Sequence, residues 1–103
     1  MGYYSDFKIS LSDTKLIIPV AERLAVLSDY YFEVEQVEEI ISLQDSKWYD
    51  NDDHLKTVST EFPDLTIELE RVGEENGDME KKVYQNGSVK KLKAVISYEE
   101  IDE

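Results

Sequence analysis

Apolar and polar positions alternate strictly through Phe7-Lys8-Ile9-Ser10-Leu11, the period of a strand with one buried face. Ser12-Asp13-Thr14 is a turn cluster. Beyond it Val20, Leu24 and Leu27, with Ala21 and Ala25 beside them, fall at helical spacing while Glu22 and Arg23 face away. Pro19 can open that helix, because its missing N–H is one that a first turn leaves unpaired. The spacing predicts a short helix from Pro19 to Asp29. Tyr30-Tyr31-Phe32-Glu33-Val34 has strand-like residues, and Glu35 to Ile41 fits either period. The β-branched content of Ile40-Ile41-Ser42-Leu43 favours a strand over Glu39–Gln44. Asp50-Asn51-Asp52-Asp53 then opens a second helix, where an Asp can accept first-turn N–H groups and oppose the helix dipole. Leu55, Val58 and Phe62 follow at i, i+3 and i+7, and Pro63-Asp64 ends the run.

The rest reads as an antiparallel meander. Leu65, Ile67 and Leu69 alternate with Thr66, Glu68 and Glu70; a polar loop spans Gly73 to Asp78; Met79–Gln85 and Val89–Tyr98 are joined at Asn86-Gly87. Two registers compete at that tip. A two-residue turn pairs Tyr84 with Val89 and separates Tyr84 from the apolar set Leu92, Ala94, Ile96 and Tyr98. A three-residue loop, Gln85-Asn86-Gly87 with a bulge, pairs Tyr84 with Ser88 and joins Tyr84 to that set. The second is expected, since it puts the large aromatic on the buried side. Lys81, Val83, Lys91, Lys93 and Val95 then share a half-exposed face.

These elements predict one α+β domain over residues 1–103: about five strands, mainly antiparallel, with two helices on one face. The composition changes that picture little. At 103 residues with 41% hydrophobic content, the chain can bury one modest core. It has no cysteine, which excludes disulfides and thiolate–metal sites and fits a reducing, cytoplasmic setting. No segment reaches the ~20 apolar residues of a membrane helix. Met1-Gly2-Tyr3-Tyr4-Ser5-Asp6 lacks the basic region of a signal peptide, and Phe7 stands near where a myristoylation signal wants Ser or Thr.

Charge matters more. The formal net charge is −13, from 24 acidic and 11 basic residues. Such a field repels nucleic acid and anionic membranes and favours basic partners. It is uneven: Lys81, Lys82, Lys90, Lys91 and Lys93 form a basic stretch with no acid before Glu99. These lysines read either as a solvated strand face or as a contact with an acidic surface.

Candidate chemistry is sparse. The single histidine, His54, cannot build a multi-histidine zinc site and reads as an ordinary first-turn residue. Asp50, Asp52 and Glu61 match three ligand positions of a calcium loop, but His54 and Leu55 stand where an oxygen ligand and the turn glycine belong, so helix capping is the better account. Gly73-Glu74-Glu75-Asn76-Gly77-Asp78 gathers three carboxylates and reads as a wide polar turn or a cation site. No phosphate cradle, nucleophile elbow or zincin motif occurs, and neither enzymatic activity nor a cofactor is expected. Trp48 and Tyr49 are adjacent in an extended stretch and cannot both face one core. One of them is expected at the surface, where aromatics mark interfaces.

Lys47-Trp48-Tyr49, Phe62-Pro63-Asp64-Leu65-Thr66-Ile67, the Gly73–Asp78 loop and Tyr84-Gln85-Asn86-Gly87 together resemble small uncharacterised acidic proteins of phages, plasmids and bacterial mobile elements. The likeness covers roughly residues 45–98, about half the chain, and departs from the pattern at Met79-Glu80, where an aromatic is expected. It implies a ferredoxin-like or related α+β sandwich, no established activity and no catalytic residue.

The leading functional expectation is a non-enzymatic protein-binding accessory factor that offers an acidic surface to a basic protein, with Trp48, Tyr49, Asp50, Asp52, Asp53, Glu74 and Glu75 as the contact residues. The alternatives are a small-molecule or cation-binding domain using the Glu74–Asp78 loop, and a structural subunit self-associating through an edge strand at Phe7–Leu11 or Val89–Tyr98.

Overall fold

The computed structural model describes residues 4–73 and 79–93. In chain order these form β1 (Ser5–Leu11), a 3₁₀ turn (Thr14–Leu16), α1 (Ile17–Ser28), β2 (Glu33–Glu35), β3 (Ile40–Ser46), α2 (Asn51–Glu61), β4 (Ile67–Val72), β5 (Met79–Gln85) and β6 (Ser88–Lys93). The six strands make one sheet in the order β2-β3-β1-β4-β5-β6, and every neighbouring pair is antiparallel. The architecture is therefore α+β with one strand more than the sequence pattern indicated. The extra one is β2: three residues are too few for alternation to register.

The β1 stripe is central to the sheet and to the core. Phe7, Ile9 and Leu11 are buried while Lys8 and Ser10 are exposed. On one flank Ile9 lies opposite Ile41 and Phe7 opposite Leu43; on the other, Leu11 meets Ile67 and Ile9 meets Leu69. Val20 and Leu24 of α1 and Leu55 and Val58 of α2 join these side chains in one cluster, so both helices cover the same side of the sheet. The opposite side carries Lys8, Ser10, Glu68, Glu70 and Lys81. A self-associating edge at Phe7–Leu11 is ruled out by this placement, because both edges of β1 are already paired.

Both helices start and stop for local reasons. Asp13 accepts a hydrogen bond from the Lys15 N–H at 3.1 Å and starts the 3₁₀ turn, so α1 begins two residues before Pro19. Asp29, left-handed at φ 68°, ends it with its N–H on the Ala25 carbonyl. In α2 the buried positions are Asn51, Leu55, Val58 and Ser59, with Phe62 half-buried beyond the end. Asp50 is the N-cap residue but makes no side-chain capping bond, contrary to the expected role of the acidic run.

The β5–β6 connection corrects the expected register. Tyr84 pairs with Val89 and Gln85 with Ser88, leaving a two-residue Asn86-Gly87 turn with φ of 47° and 83°. Positive φ at both positions is what a type I′ turn needs and what Asn-Gly supplies. Tyr84 is buried as expected, but its companions on that face are Val89 and Lys91. Leu92 lies on the open side, 40% exposed, and Ala94, Ile96 and Tyr98 fall outside the described residues. The bulged register fails because the inward face of β5 is not apolar throughout: Lys82 is buried beside Tyr84.

The turn also rests on α2. The Gly87 N–H donates to the buried Ser59 Oγ at 2.8 Å, and a Cβ on Gly87 would sit 3.1 Å from the Thr60 methyl. Gly87→Ala is expected to lower unfolding stability by about 1–2 kcal/mol through the left-handed backbone. Leu55→Ala, which empties a fully buried site, should lower it by about 3 kcal/mol. Denaturant unfolding followed by circular dichroism measures both.

Candidate protein-binding surface

A β-bulge near the end of β3 shapes the region where α2 begins. Phe7 pairs with Leu43 and Ser5 with Ser46, so the register slips between them. Asp45 takes a left-handed φ of 51°, and its N–H is held by the Asp6 carboxylate at 2.9 Å. Extra residues of this kind are common beside sites, because they re-aim the chain. Here the chain leaves β3 through Lys47, whose ammonium sits 5.0 Å from the centre of the Tyr4 ring, and enters α2 at Asn51.

Of the two adjacent aromatics, Trp48 turns in and Tyr49 turns out. Trp48 is 2% exposed and Tyr49 66%. The indole meets Phe7 and Phe32 edge-on, with ring centres 5.2 Å and 5.0 Å away, a favourable aromatic geometry. Its Nε1–H donates to His54 Nδ1 at 2.8 Å. A buried indole N–H needs such an acceptor, and His54 is one turn into α2 where it can supply it. The histidine is half-buried in the first turn of α2 and accepts the indole hydrogen bond there. Trp48, expected at the contact surface, belongs instead to the core; only Tyr49 of the pair is presented.

The acidic run divides in the same way. Asp50 and Asp53 are exposed. Asp52 is drawn inward and accepts from the Tyr84 hydroxyl at 2.7 Å. Lys82 Nζ, buried under α2, donates to Asn51 Oδ1 at 2.8 Å and lies 3.4 Å from Asp52 Oδ1. Asn51 in turn donates to the Trp48 carbonyl at 2.7 Å. Partial burial alone would raise the Asp52 pKa. The Tyr84 hydrogen bond and the charges of Lys82 and Lys56 outweigh it, holding the carboxyl below its ordinary 3.8. Burial, then the hydrogen bond to Asp52, push the Tyr84 phenol far above its usual range. Tyr84 is thereby kept neutral, a donor rather than a base.

Tyr49 borders a hollow of about 300 Å³ lined also by Ser5, Ser46, Asn51 and Arg71, with Phe7 and Trp48 as its floor. Arg71 is engaged there already, with Nε 3.3 Å from Glu80 Oε1 and a terminal nitrogen 3.3 Å from Ser5 Oγ. Tyr49, Asp50 and Asp53 are the exposed candidates at the start of α2. Glu74 and Glu75, and with them the suggested cation loop, lie outside the described residues. Among the described residues, no group of three or more His, Asp or Glu side chains is placed to hold a metal ion, and no helix is long and apolar enough to cross a membrane.

Sequence reasoning missed the Lys82–Asn51–Asp52–Tyr84 clamp. Its only trace is a lysine at an inward position of β5, which a hydropathy pattern reads as a solvent position. Comparison with protein-family models, with curated proteins and with solved structures finds no match.

The clamp makes two predictions. Tyr84→Phe removes a hydrogen bond to a charged acceptor and should cost about 1.5 kcal/mol of unfolding stability. Because the Asp52 pKa is depressed on folding, its contribution is fully present above the unfolded value of 3.8 and is lost as pH falls through the lower folded value. Asp52→Asn should accordingly flatten the acid limb of the stability profile, measured by urea unfolding across pH, while lowering stability at neutral pH.

Proposed function

We propose that this chain is a non-enzymatic protein-binding factor whose α2 end, bearing Tyr49, Asp50 and Asp53, docks a basic partner. The observation that carries the reading is Tyr49: a large aromatic, 66% exposed, directly before two exposed carboxylates and beside a buried tryptophan. Aromatics of this kind supply contact area at low entropic cost, and they dominate binding when their neighbours exclude water. The backbone beneath Tyr49 is fixed on both sides, by the Trp48–His54 hydrogen bond and by the Asn51 bond to the Trp48 carbonyl. Little ordering therefore remains to be done on binding. The net charge of −13 steers a basic partner toward the molecule and raises its on-rate.

We also infer that β1, α1, β2, β3, α2 and β4 are a ferredoxin-like βαββαβ unit, extended at β4 by the β5–β6 hairpin. The support is the chain order together with the spatial order β2-β3-β1-β4. In a phage or plasmid setting, which the sequence resemblance suggests, the basic partner of such a factor is a nucleic-acid-binding protein.

Titration calorimetry with an Arg/Lys-rich peptide carrying tyrosine and leucine tests the docking. Affinity should fall by about tenfold for Tyr49→Ala, fall further for Asp50→Asn with Asp53→Asn, and drop steeply as salt is raised. Exposed Glu22, on α1, serves as control, and Glu22→Gln should leave binding unchanged. Affinity indifferent to Tyr49 and to salt would reject the proposal.

A further inference from the structure

The sheet ends in two strands of opposite charge. At one end β2 carries Glu33 and Glu35 and runs into a turn holding Glu38 and Glu39. At the other, β6 carries Lys90 and Lys91. Among the described residues no strand pairs with the outer edge of either. A bare edge is a template for another strand, and lysines on an edge normally discourage pairing with a like edge. They do not discourage pairing with an acidic one.

Strand direction adds a geometric constraint. The six strands alternate in direction without exception, so β2 and β6 run opposite ways. A second copy, translated along the sheet with its helices on the same side, therefore brings its β2 antiparallel to β6 of the first. The hydrogen-bonding phase also matches. In an antiparallel ladder, bonded and non-bonded pairs alternate across successive strands. The row Val34, Ile41, Ile9, Leu69, Lys82, Lys91 crosses all six, so the next pair in line continues the alternation. Shifting by two residues preserves it.

We infer that the chain self-associates head to tail through its sheet edges, β2 of one copy adding to β6 of the next with Val34 opposite Val89 and Glu33 opposite Lys90. In this register the half-buried Val34 and Val89, each packed against the core cluster, meet on the helix-covered side. A hollow of about 220 Å³ beside Val34 has Ile17 and Ile18 in its lining together with Thr14, Gln36 and Glu39. On the open side Lys90 lies directly opposite Glu33 and diagonal to Glu35, both within reach of a cross-strand charge pair. Symmetric pairing of β2 with β2 or of β6 with β6 would oppose like charges. The association is thus heterologous and open-ended. The whole-chain charge of −13 repels approaching copies at low ionic strength; physiological salt screens that long-range field and leaves the directly opposed pairs largely intact.

Sedimentation velocity at physiological ionic strength, from micromolar to millimolar protein, reads the result. The wild-type mass should rise with concentration without settling at a dimer. Glu33→Lys alone and Lys90→Glu alone should each weaken association by about tenfold, since each turns an attraction into a repulsion. Mixing the two variants in equal amounts, or combining both changes in one chain, should restore it. Both positions are exposed, and circular dichroism of each variant verifies the fold. A wild type that stays monomeric throughout, association indifferent to either reversal, or failure of the mixture to recover would each overturn the inference.

Discussion

An ammonium group sealed under a helix must be paired, and in this molecule the pairing of Lys82 organises everything at the start of α2. Its Nζ is met by Asn51 and Asp52, and the Tyr84 hydroxyl completes the Asp52 carboxylate. Leaving any of these groups unmatched would cost far more than the set gains as a whole, so the clamp fixes where α2 lies on β5 with little slack. The other consequences are local. Asp52 is committed to the sheet and Asn51 to the Trp48 carbonyl, which leaves Asp50 and Asp53 facing water.

This clamp also explains how a sheet extension with few apolar residues stays attached to the core. The inner positions of β5 are Glu80, Lys82 and Tyr84, and β6 sets Val89 opposite Tyr84 and Lys91 opposite Lys82. Hydrophobic burial holds β1, β3 and β4 through Phe7, Ile9, Ile41, Leu43, Ile67 and Leu69. Beyond β4, polar contacts take over: the Lys82–Asp52–Tyr84 group at one height and the Gly87–Ser59 hydrogen bond at the hairpin tip. The head of Lys82 is satisfied by α2.

That division sets what was legible in the sequence. Alternation in Phe7–Leu11 and Leu65–Leu69, and the helical stripe of Leu55 and Val58, announced the apolar half, because there side-chain polarity and burial agree. The Asn86-Gly87 hairpin was legible as a hairpin, but its register was misjudged. Leu92 is apolar yet faces outward, whereas the inward position of β5 beside Tyr84 is a lysine. β2 showed only as the strand-like composition of Tyr30–Val34, because three residues carry no period. At the candidate surface, the rule that adjacent extended residues face opposite ways required one of Trp48 and Tyr49 to be exposed. It could not say which, since the acceptor that lets the indole go inside is His54, six residues away.

The irregularity in β3 settled that choice. Up to Leu43 the odd-numbered positions, Ile41 and Leu43, face the helices; past the slip opposite Asp6 the even-numbered ones, Ser46 and Trp48, do. Which aromatic is displayed is therefore a matter of chain length as much as of residue type. Removing one residue at Asp45 would reverse the parity, offering the indole outward and drawing the phenol in with no change to either side chain. A lineage could in this way exchange the displayed ring through a single codon deletion, giving up the indole's hydrogen bond to His54 on α2.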